Sequence, residues 1–83
     1  MDSWIPVIVF IAEYVIHGMV KHYAGASLDS LLERERDEFL EIKNARVFLA
    51  RDARELYTIS LLEVNKARVT MIFSQDSIIS QAE

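Results

Sequence analysis

The chain contains no cysteine, which excludes a disulfide framework and any zinc site built on thiolates. That absence suits a reducing compartment, and the expected location is the cytoplasm. Glycine occurs only at Gly18 and Gly25, so there is no glycine-rich loop to cradle a phosphate. Proline occurs once, at Pro6. The longest unbroken apolar run, from Trp4 to Ala12, stops at Glu13 and is far shorter than the roughly 20 residues with which a helix crosses a bilayer. It also lacks the basic start and small-residue cleavage site of a secretion signal, so membrane association is not expected.

Positive charge is scarce as well. Nine Lys and Arg stand against thirteen Asp and Glu, a net charge of −4, and binding to phosphate backbones relies on a cationic surface. RNA is therefore not an expected partner. Were nucleic acid bound, the residues to carry it would be Arg46, Arg51 and Arg54, which lie close in sequence, with Lys66 and Arg68.

Catalytic and metal-binding patterns are missing too. His17 and His22 are the only histidines, and an odd spacing along a strand sends them to opposite faces. Glu13 and His17 share a strand parity but stand about 13 Å apart by strand rise. No serine sits in a nucleophile-elbow context. The expectation is a chain that is not an enzyme and carries no cofactor and no metal.

What is present is apolar side chain in excess. Residues 1–74 read as one small domain and residues 75–83 as a polar tail. A chain of 83 residues hides only about 60% of its unfolded surface on folding. Yet 52% of its residues are hydrophobic, more than a thin interior can cover. With disulfides excluded, association is the remaining support.

The first run is rich in Val, Ile and Phe, which favour a pleated surface, and Pro6 suits a strand start better than a helix interior. Val7, Val9 and Ile11 fall on one face and Ile8 and Phe10 on the other. A strand apolar on both faces is covered on two sides, by its own core and by something else. This run carries no charge to guard it as a sheet edge, so Val7, Ile8, Val9, Phe10 and Ile11 are the expected interface residues. A second strand resumes at Val15, and Gly18 within it marks a bend or a close backbone approach.

Ser27 is a good N-cap, Asp29 suits the first turn of a helix, and Leu28, Leu31 and Leu32 form one apolar stripe. A short helix is predicted over 27–36. A third strand over 39–50 changes phase, with Asn44 the expected site of a bulge. Arg51-Asp52-Ala53-Arg54 reads as a polar turn. A fourth strand over 56–64 places Tyr57, Ile59 and Leu61 in phase and slips at Leu62. Asn65-Lys66 reads as a tight turn, followed by a last strand with Val69, Met71 and Phe73 toward the core. The sequence thus predicts a mainly β (α+β) fold: a strongly bent five-stranded antiparallel sheet or small barrel, with one short helix inserted between strands 2 and 3.

Ile16-His17-Gly18, the segment from Ser27 to Leu32, Phe39-Leu40, Asn44-Ala45-Arg46-Val47 and Val64-Asn65-Lys66 together resemble a family of small uncharacterised bacterial proteins of unknown function. The layout is similar, more distantly, to Sm-like small β-barrels. That resemblance implies edge-to-edge association into rings. It implies RNA as a partner only where the RNA-contacting loops match, and here those loops are Asn65-Lys66 and the helix-bearing insertion of 24–38. The resulting expectation is a non-catalytic interaction or assembly module that forms a homo-oligomer, a dimer or ring, with another protein as a second class of partner. The alternatives are an Sm-like nucleic-acid-binding protein and a small regulatory or ligand-binding domain.

Overall fold

β-Branched and aromatic residues alternate through five segments, and each becomes a strand: β1 (Ser3–Ile11), β2 (Tyr14–His22), β3 (Phe39–Leu49), β4 (Glu55–Asn65) and β5 (Val69–Ser74). The computed structural model describes residues 3–22 and 38–81. The strands form one antiparallel sheet in the order β4-β3-β2-β1-β5. The fold is mainly β, as the sequence predicts, and the sheet does not close: β4 and β5 are its two edges. The helix expected over 27–36, with Leu28, Leu31 and Leu32, lies outside the described residues.

Tight turns with left-handed residues join the strands. Ala12, at φ 50°, turns β1 into β2. Ala53, at φ 58°, closes the turn from β3 to β4, where the Leu49 N–H donates to the Arg54 carbonyl at 2.9 Å. The two turns are tied together by the Ala50 N–H, which donates to the Glu13 carbonyl at 2.8 Å. Between β4 and β5 runs a 3-10 turn, Lys66–Arg68, whose Asn65 Oδ1 accepts from the Ala67 N–H at 2.9 Å.

The bend of the sheet has a local cause. At Asn44 the backbone turns left-handed, φ 52°, and the register of β3 against β2 shifts between His17 and Met19. Lys43 and Asn44 both turn out to solvent, while Ile42 and Ala45 on either side of them both enter the core. Directly across, β4 makes the matching slip: Ile59 and Leu62 pack against the core and Leu61 points away. Because the pairs Ile42–Leu62, Lys43–Leu61 and Ala45–Ile59 run straight through, both strands bend together without losing their pairing. The bend brings Leu40, Ile42 and Val64 into one core with Val7, Val9, Ile16 and Val20. Val7, Val9, Val20 and Ile42 are fully buried, each contributing about 1.5–3 kcal/mol relative to exposure.

Three expectations are corrected. First, β1 is not a sheet edge, because it pairs with β2 on one side and β5 on the other. Second, Leu61 is half-exposed and out of phase with Tyr57 and Ile59, because the slip falls before it and not at Leu62. Third, Met71 and Phe73 do not face the core. A bulge where β5 meets the end of β1, between Phe10 and Ile11, switches faces after Val69 and leaves Val69 and Ile72 as the inward residues.

Candidate assembly interface

The five residues first expected at an interface divide between the two faces of β1. Val7 and Val9 are fully buried and Ile11 packs against the same core. Ile8 and Phe10 lie on the opposite, outer face, paired across the ladder with Phe73 and Met71. The Phe10 and Phe73 rings stack at a tilt with centroids 6.1 Å apart. The two-sided cover predicted for this strand therefore comes, at least on its inner face and along both backbone edges, from the chain itself.

The cations named as a nucleic-acid alternative do not gather into one surface. Arg46 projects from the outer face of β3 and is engaged by Glu55: its Nη2 donates to Oε1 at 2.8 Å and its Nε to Oε2 at 3.3 Å. The Thr58 hydroxyl donates to Glu55 Oε2 at 2.8 Å. These bonds hold the Glu55 carboxyl below its ordinary range, the Arg46 bond contributing most. Arg51 and Arg54 lie in the turn after β3, Lys66 and Arg68 in the turn after β4.

Arg46 also borders a small aromatic group. Its guanidinium lies 5.2 Å from the centre of the Phe48 ring, and the His17 ring meets Phe48 edge-on at 5.1 Å. Burial, and to a lesser extent the Arg46 charge, pushes the His17 imidazole below its ordinary value. Farther along the same face, Lys43 Nζ sits 5.2 Å above the Trp4 ring.

The backbone left open by this architecture lies along β4 and β5, the two edges of the sheet. Among the described residues no strand pairs with the outer edge of either, so each presents a row of unmatched backbone N–H and C=O groups. Separately, an apolar groove of about 500 Å³ runs along β4, lined by Ile11, Tyr14, Tyr57, Ile59 and Leu62, with Arg68 of the following turn also in its wall. The core residues Ile16, Val47 and Val64 form its floor.

β4 carries charge at Glu55 and Glu63 and none between them. Tyr57 and Leu61 on β4 and Met71 on β5 are each more than half exposed. β5 holds no charge from Val69 to Ser74, and Arg68 belongs to the preceding turn. Sequence reasoning missed Leu61 and Met71 as surface residues because each continues an alternation that an irregularity interrupts, whereas Tyr57 keeps the face of Ile59 and is exposed because it lines the open groove. The signal available was the doubled apolar pair Leu61-Leu62, where a period of two cannot keep both inside.

No helix among the described residues is long and apolar enough to cross a membrane. Neither a protein-family model, nor a curated protein, nor a solved structure matches the chain.

Proposed function

We propose that the chain is a non-catalytic assembly module that forms a homo-oligomer, with the β4 edge of one copy joining the β5 edge of the next. The observation that carries this reading is the pair of unpaired edge strands, β4 with an apolar groove along it and β5 with no charge from end to end. Strand addition satisfies backbone groups along both edges at once, and it covers Tyr57, Leu61 and Met71 with a neighbour's side chains. Because β4 and β5 are different surfaces, the contact is head-to-tail. Such a contact closes into a ring when the rotation per copy permits, which is the form an Sm-like assembly takes. A strand from another protein is the second class of partner for the same edges.

The experiment introduces one charge per edge, Leu61→Lys on β4 and Met71→Lys on β5. Both residues are half-exposed, so circular dichroism should report an intact sheet. Head-to-tail joining requires each variant alone to lose the assembly, and an equimolar mixture to form a dimer through the one intact β4 and the one intact β5. Loss of assembly in only one variant would mean that a single edge pairs with its own copy. Assembly unaffected in both would overturn the proposal.

A further inference from the structure

Residues 75–81 lie over the outer face of the sheet, held by hydrogen bonds at 75–78. In the 3-10 turn Gln75–Ser77, the Asp76 N–H donates to Ser74 Oγ at 3.2 Å and the Ser77 hydroxyl donates to the Ser74 carbonyl at 2.6 Å. Gln75 Nε2 reaches the Val7 carbonyl at 3.4 Å, and the Ile78 N–H reaches the Gln75 carbonyl at 3.4 Å. Residues 79–81 make no hydrogen bond among the described residues.

Beneath this segment lies an open groove of about 530 Å³. Ile8, Phe10, Phe73 and His17 wall it from the sheet side, and Ile78 and Ser80 from the tail side. Ile78 continues the chain in an extended conformation, φ −70° and ψ 120°. Neighbouring side chains of an extended segment point opposite ways. Accordingly Ile78 is 39% exposed and Ile79 100% exposed.

We propose that residues 78–81 are a detachable strap over this groove, with Ile78 as its latch and the 3-10 turn as its fixed root. Closed, the strap shields Ile8, Phe10 and Phe73 from water. Open, it presents them as an apolar surface beside the His17 imidazole. The latch is one partly exposed side chain with no hydrogen bond beyond it, whereas the root is held by several, so the strap swings from Ser77 while β5 stays paired. No Asp, Glu, Lys or Arg lines the groove among the described residues; Arg46 lies across the ladder from His17, and Asp76 is exposed on the turn.

Two uncharged substitutions in the full chain test this, Ile78→Asn and Ile79→Asn. Fluorescence of an apolar-surface dye, 8-anilinonaphthalene-1-sulfonate, reads the groove. The NMR titration of the His17 ring, assigned with His17→Gln, reads its hydration. The strap predicts that Ile78→Asn raises dye fluorescence severalfold and moves the His17 titration up toward the ordinary imidazole value, while Ile79→Asn changes neither. Identical behaviour of the two variants, whether both silent or both altered, would overturn it. Should Ile78→Asn perturb the far-ultraviolet circular dichroism, the milder Ile78→Ala carries the same expectation, and a silent Ile78→Ala would overturn it too.

Discussion

Gly18 of β2 lies against Ile42 of β3 so closely that a methyl group at Gly18 would overlap Ile42 Cγ2 and crowd the Lys43 carbonyl oxygen and Ala45 Cα. This close approach occurs where the bulge at Asn44 turns β3. Gly18→Ala should therefore destabilise the protein by about 1–3 kcal/mol, the range for overpacking a well-filled core. Ile42→Ala alone, at a fully buried site, should cost about 2–5 kcal/mol. In the double variant the smaller side chain makes room for the added methyl, so the combined loss in urea unfolding should fall short of the sum. Strict additivity would show that the two residues do not meet.

Two alanines hold a backbone shape that favours glycine, Ala12 at φ 50° and Ala53 at φ 58°. Replacing Ala53 by Gly removes the Cβ strain of the left-handed region but adds freedom to the unfolded chain. The net expected gain is about 0.5–1 kcal/mol. Ala53→Val, which is β-branched, should lose stability instead. Thermal melts of the three proteins give the order Gly above Ala above Val.

The pH dependence of stability separates two groups on the outer face. Burial and then Arg46 lower the His17 value from its ordinary 6.5, so the unfolded chain takes up a proton more readily than the folded one. The stability from neutral His17 is full above about pH 6.5 and is lost as pH falls through the lowered folded value. Glu55 is lowered from 4.5, first by the Arg46 hydrogen bond and then by that from Thr58. Its share is full above about pH 4.5 and is lost as pH falls through its lower folded value. Melting temperatures of His17→Gln should flatten the upper part of this fall, and those of Glu55→Gln the lower part.

Much of the fold was legible in the sequence because the bend has a chemical signature. An alternation that fails at Asn44, a residue that tolerates the left-handed conformation, names both the bulge and its site. Gly18 likewise announced a close approach. The order of strands was less legible. Which strand forms an edge is a matter of long-range pairing, and β1, uncharged throughout, reads equally well as an unguarded edge or as an interior strand. The irregularity after Val69 carries no special residue, since Thr70 and Met71 are ordinary strand formers. Alternation alone therefore places Met71 and Phe73 on the wrong face.

Affinity for single-stranded RNA should be weak and insensitive to sequence. Of the five cations named for that role, Arg46 is engaged by Glu55, and the other four divide between two turns on a chain of net charge −4. A salt titration should show a shallow slope, because few phosphates can be neutralised together. A steep salt dependence with affinity tighter than about micromolar would point to Arg51, Arg54, Lys66 and Arg68 acting as one surface.

The mass of the unmodified chain in solution bears most directly on the proposal that its two open edges form an interface. Light scattering across roughly 1–100 μM, a range over which mass action would separate assembled from free copies, should return a multiple of 9.6 kDa. The fraction assembled should rise with concentration and fall for Leu61→Lys and Met71→Lys. A mass of 9.6 kDa at every concentration would contradict the account and leave β4 and β5 as edges that face only water.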